Sequence, residues 1–83
     1  MSKNKAFNQY AFDDLLIYHY ENNIPLKLIY DNGEEEVVNI IKFDRYNLFC
    51  KDIEGQSFIV FKHSLRKIET KADLDSVFEE ISK

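Results

Sequence analysis

A lysine and a histidine stand side by side at Lys62 and His63, between Phe61 and Ser64, where an apolar run is interrupted. A lysine neutralises a phosphate, and a histidine donates to a base edge or a ribose hydroxyl. The plainer reading of the pair is a solvated strand end followed by a turn. Tyr46 is either a ring on which a base can stack or an ordinary wall residue of a barrel. The other reactive residue types read as structural. His19 falls on the apolar stripe of a helix, the setting of a satisfied histidine, and Cys50 alternates with Phe49 and Lys51 as a small core residue. Glu34, Glu35 and Glu36 are consecutive strand residues that point to opposite faces, which suits a solvated strand start better than a divalent-ion site. No Ser/His/Asp or Cys/His pairing, phosphate-binding glycine loop, carboxylate dyad or zinc-spaced cluster appears, so neither catalysis, a metal nor a cofactor is expected.

These residues must be positioned by one small domain. Eighty-three residues lie near the lower limit for a self-sufficient core, and with Cys50 the only cysteine no internal disulfide can help. Association between chains is the supplement that remains. Seven Phe and five Tyr in a sequence that is 45% hydrophobic argue for a folded chain. No apolar run approaches the roughly 18 residues of a membrane span, and the first residues lead into no signal-peptide core, so a cytoplasmic location away from membranes is expected. The net charge of -4 is unlike the basic surplus of most nucleic-acid binders, yet residues 25–69 carry seven basic and eight acidic side chains and are nearly neutral. A local basic face on that block is compatible with the charge.

Along the chain, residues 1–7 are polar and expected to fray. Phe12, Leu15, Leu16 and His19 then form one helical stripe, predicting a helix over about 9–21 that Asn22-Asn23 and Ile24-Pro25 stop. Leu26, Leu28 and Tyr30 alternate as a strand, and Asn32-Gly33 tolerates the positive φ of a tight hairpin. The next strand runs through Val37, Val38, Ile40, Ile41 and Phe43 and is long enough to bend. Asp44-Arg45 is a corner, Tyr46, Leu48 and Cys50 alternate after it, and Gly55 marks a further turn. Phe58 to Phe61 and Leu65 to Glu69 are short strands, the second an exposed edge open to pairing with another subunit. Thr70-x-x-Asp73 resembles a capping box, and Leu74, Val77, Phe78 and Ile81 make an amphipathic stripe that must bury against the barrel or a partner. Helix, five short antiparallel strands and helix argue for a small, closed or nearly closed barrel over about 25–69, within a domain of residues 8–69 that includes the first helix, and for a C-terminal helix over 70–83.

Asn32-Gly33, Phe43-Asp44 nine residues on, the following Arg45-Tyr46, Phe61-Lys62-His63-Ser64 and the leading Ile24-Pro25 together resemble the bacterial Sm-like RNA chaperone family, Hfq. The resemblance covers roughly residues 9–69. It implies a strongly bent five-stranded antiparallel barrel behind an N-terminal helix, assembled as a homo-oligomeric ring, typically a hexamer, by pairing of fourth and fifth strands. It also implies that Lys62 and His63 line the pore on the helix-bearing face and meet uridine-rich single-stranded RNA, with Tyr46 stacking on a base. Arg45 stands where the family usually has Gln, and Gln9 fits the glutamine near the start of the family's helix. The sequence also departs from the family. Val38 replaces a strand glycine, Tyr20 to Asn23 replace a basic rim, Glu34 and Glu35 occupy the adenine-binding face, and residues 70–82 read as a structured helix rather than a polar tail.

Two readings follow. In the first, the chain is an RNA-binding Sm-like ring and post-transcriptional regulator. Here Lys62, Arg45 and one of Arg66 or Lys67 converge on one face. In the second it is an Sm-fold interaction scaffold with little RNA affinity, which engages a protein through its acidic surfaces and residues 71–82, and the cations scatter.

Overall fold

The computed structural model describes residues 11–82; the expected frayed segment 1–7 and Gln9 lie outside them. Helix α1 (Ala11–Glu21) is followed by strands β1 (Leu26–Tyr30), β2 (Glu35–Phe43), β3 (Asn47–Asp52), β4 (Ser57–Phe61) and β5 (Leu65–Thr70), and by helix α2 (Leu74–Ile81). A single 3-10 turn, Lys62–Ser64, separates β4 from β5. The five strands form one antiparallel sheet in the order β4-β3-β2-β1-β5, so β4 and β5 are its two edges. The sheet curls around a core of Leu16 from α1, Leu26 and Leu28 from β1, Val38 and Ile40 from β2, Leu48 and Cys50 from β3, and Val60 from β4.

Each curl has a local cause. In β2, Val38 and Ile40 point inward, two exposed residues follow in succession, and Phe43 turns in again. The pairing with β3 shifts register between Ile40 and Lys42, a bulge that bends the strand without a glycine at Val38. A second register shift, between Ile29 and Tyr30 in the β1–β5 pairing, bends the other side. Two hairpins close in the same way. The Gly33 amide donates to the Tyr30 carbonyl (2.9 Å) and the Tyr30 amide to Glu34 (2.8 Å), and the Gly55 and Asp52 amides repeat this with Asp52 and Gln56. Only the glycine of each loop takes positive φ, 92° at Gly33 and 86° at Gly55. Asn32 does not share it, as a two-residue turn would require; its side chain instead accepts from the Glu34 amide at 2.9 Å.

Helix α1 ends as its asparagines suggest. Asn23 adopts φ 56°, the Ile24 amide reaches back to the His19 carbonyl (2.9 Å), and the Asn23 amide reaches Tyr20 (3.3 Å). This is a left-handed helix stop with asparagine in the usual glycine position. His19 is 1% exposed and fully satisfied. Its Nδ1 lies 2.8 Å from the Leu15 carbonyl, which can only accept, so the ring proton sits on Nδ1 and Nε2 accepts from the Thr70 hydroxyl at 2.7 Å. Thr70 in turn accepts from the Ala72 amide.

That commitment corrects the expected capping box. Thr70 is the last residue of β5, its hydroxyl is spent on His19 and Ala72, and the helix expected from residue 70 starts three residues later with Asp73 as its cap. Ser76 donates to the Asp73 carboxylate at 2.9 Å. Helix α2 then packs along α1 and buries Val77, leaving Leu74 exposed. Of its apolar stripe only Val77 is fully buried, while Phe78 and Ile81 are half-buried. No helix among the described residues is long and apolar enough to cross a membrane.

Candidate functional site

The tip of the β2–β3 hairpin is built by Asp44. Its carboxylate accepts from the backbone amides of Tyr46 (3.1 Å) and Asn47 (2.9 Å) and from the Asn47 side chain (3.0 Å), while its own amide donates to the Asn47 carbonyl. The Tyr46 amide, the Asn47 side chain and amide and the charge of Lys62 hold its carboxyl below the ordinary carboxylate value. With the corner fixed this way, Arg45 and Tyr46 become the two residues of the tip. Tyr46 is 65% exposed, so it is not a wall residue, and the Arg45 guanidinium lies over its ring at 5.4 Å.

The β4–β5 turn is tied to that tip through the main chain. The Lys62 amide donates to the Tyr46 carbonyl at 2.8 Å, and the Asp31 amide of the first hairpin donates to the Ser64 carbonyl at 3.0 Å. Three loops distant in sequence therefore meet. From this turn Lys62 and His63 leave toward different neighbours. The Lys62 ammonium lies 5.2 Å from the Phe12 ring on α1 and 5.6 Å from Phe43. The His63 ring stacks near-parallel on Phe61, 6.2 Å between centroids. Phe61 is 56% and Phe12 40% exposed.

The main-chain tie thus places the turn that carries Lys62 and His63 beside the tip that carries Arg45 and Tyr46. Lys67 is elsewhere: it lies 3.1 Å from Glu69, which with Glu35 also flanks Lys27. These pairs sit over Ile29, which is buried on the outer side of the sheet although strand alternation points it outward. Gln9 is outside the described residues. Two rings near Lys62 and His63 were given no ligand role in the sequence. Phe61 precedes the Lys-His pair and looks like plain strand, and Phe12 occupies the end of the α1 stripe that Leu16 and His19 bury. The signal that marks Phe12 is tertiary, the arrival of Lys62, 50 positions on in the sequence, over its ring. Cys50 is fully buried, and burial together with Glu36 pushes its thiol up to about 11, leaving it unreactive near neutrality. Among the described residues no group of three or more His, Cys, Asp or Glu could hold a metal ion.

Compared with solved structures, the chain is similar to the crystal structure of the pleiotropic translational regulator Hfq, with a TM-score of 0.66 over 71% of this chain and 97% of that one. The fold is Sm-like. The two sequences are 19% identical, so the likeness is one of backbone. No protein-family model matches the sequence, and no curated protein matches it at a significant level. On the Sm-like barrel, Arg45 and Tyr46 occupy the β2–β3 tip, and Lys62 and His63 the joint between the fourth and fifth strands.

Proposed function

We propose that the chain is an RNA-binding Sm-like ring protein, a post-transcriptional regulator that takes uridine-rich single-stranded RNA at a pore face through Lys62, His63, Tyr46, Arg45 and Gln9. The observation that carries this reading is the meeting of two cations with exposed aromatic rings at tied loops, the pairing of charge and stacking surface that single-stranded nucleic acid requires. The edges at β4 and β5, unpaired among the described residues, support the ring, since pairing the edge of one chain with that of the next satisfies both and supplies the burial a small domain lacks. Six subunits, as in the resembled family, complete the proposal. Repetition around a ring adds weak contacts by avidity.

A second reading is favoured by a groove between α1 and α2 lined by the apolar Ile17, Tyr18 and Ile81 together with the acidic Asp14, Glu21 and Glu80. This suits a protein partner better than a polyanion. One experiment separates the two. Labelled oligouridine and oligoadenine are titrated by anisotropy at low and moderate salt, with a Lys62→Ala, His63→Ala variant, on protein of measured mass. Oligouridine binding that weakens with salt and is lost in the variant upholds the RNA reading. An assembled ring that binds neither oligomer overturns it in favour of the scaffold.

A further inference from the structure

Two rings at this site share an arrangement that neither composition nor spacing discloses. Arg45 lies over Tyr46 at 5.4 Å, and Lys62 lies over Phe12 at 5.2 Å. Each ring has a cation on one face and remains substantially exposed, 65% for Tyr46 and 40% for Phe12. A cation behind an aromatic ring is itself held by the ring's quadrupole, and the uncovered surface of such a ring remains available for stacking on a planar base. The Lys62 amide is bonded to the Tyr46 carbonyl, so the lysine bridges from one ring's backbone to the other ring's face. An ammonium so placed can neutralise the phosphate that links two neighbouring nucleotides.

We propose that Phe12 is a second base-stacking surface, so that each subunit holds a dinucleotide: one base on Tyr46, the next on Phe12, and the intervening phosphate on Lys62. This rests on the RNA reading above and goes beyond it, because it assigns the first turn of α1 a ligand and doubles the nucleotides held per subunit. Stacking on Phe12 tolerates any base, so the second position of the step is read less strictly than the first.

The test measures the number of nucleotides bound per subunit at saturation, with uridine oligomers of increasing length, for the unaltered protein and for Phe12→Leu, Phe12→Trp and Tyr46→Ala. Leucine keeps the apolar bulk at a surface position and removes the π face; tryptophan keeps the face. The expected result is two nucleotides per subunit for the unaltered protein and for Phe12→Trp. For Phe12→Leu the expectation is one nucleotide per subunit, affinity weaker by about fivefold or more, and an unchanged salt dependence. If Phe12→Leu lowers the salt dependence along with the affinity, Phe12 merely holds Lys62 and the stacking assignment is wrong. If Tyr46→Ala weakens binding while Phe12→Leu behaves as the unaltered protein, this inference alone falls. If no uridine oligomer binds the unaltered protein, the RNA reading falls and takes this one with it.

Discussion

Asp44 touches no ligand in this scheme, yet it sets where Arg45 and Tyr46 stand. Its carboxylate is depressed below its ordinary value of 3.8, chiefly by the Tyr46 amide, so the order it confers is present at any pH above that value. That order is lost only as pH falls through the lower folded value. The Tyr46 amide resonance, followed by NMR in acid, should therefore titrate with a midpoint below 3.8. At neutral pH, Asp44→Ala should weaken oligouridine binding several-fold with the phosphate contact at Lys62, and hence the salt dependence, intact. Equal loss of salt dependence would mean that the corner serves Lys62 instead. In the sequence, Asp44 was readable as a corner and Arg45 and Tyr46 as its neighbours. The exposure of Tyr46 was not, because alternation with Leu48 and Cys50 places it equally well in the wall.

Between elements, the contact with the largest consequence joins residues 51 positions apart, the His19 ring and the Thr70 hydroxyl. It fastens α1 to the end of β5, and the chain leaves that point to form α2. Thr70→Val removes the donor and leaves a buried imidazole nitrogen without a partner, a loss of about 1–3 kcal/mol in urea unfolding. The double variant His19→Leu, Thr70→Val replaces both groups by apolar ones and should recover part of that loss; no recovery would show that Thr70 matters through the Ala72 amide alone. Local patterns predicted the elements themselves, through the apolar stripe of α1, the alternation of β3 and the glycines of two loops. They misassigned Thr70 as a helix cap because a threonine's choice between a local amide and a distant histidine is made by the fold. Phe12 escaped for the same reason, since the helical period tells which residues share a face but not what arrives beside the first of them.

At the scale of the molecule, charge and edges pull in different directions. The chain is acidic, and Lys67 is paired with Glu69, so the proposed RNA contact relies on the cations of the tied loops. Oligouridine binding should accordingly show a shallow salt dependence, corresponding to one or two phosphates per subunit when log affinity is plotted against log salt. A steep slope would place additional phosphates on surfaces outside the tied loops. The two sheet edges, unpaired among the described residues, favour association, and light scattering is expected to return six chain masses in dilute solution. A stable monomer would leave both edges to be covered in some other way.

The links between the three loops run through main-chain atoms: the Lys62 amide to the Tyr46 carbonyl, and the Asp31 amide to the Ser64 carbonyl. No side-chain exchange at Arg45, Tyr46, Lys62 or His63, proline at Lys62 aside, deletes either link. The patch is in that sense a socket whose pins can be swapped. Charge, stacking and hydrogen-bonding groups can be retuned there one residue at a time toward a new ligand, and the barrel beneath need not be redesigned.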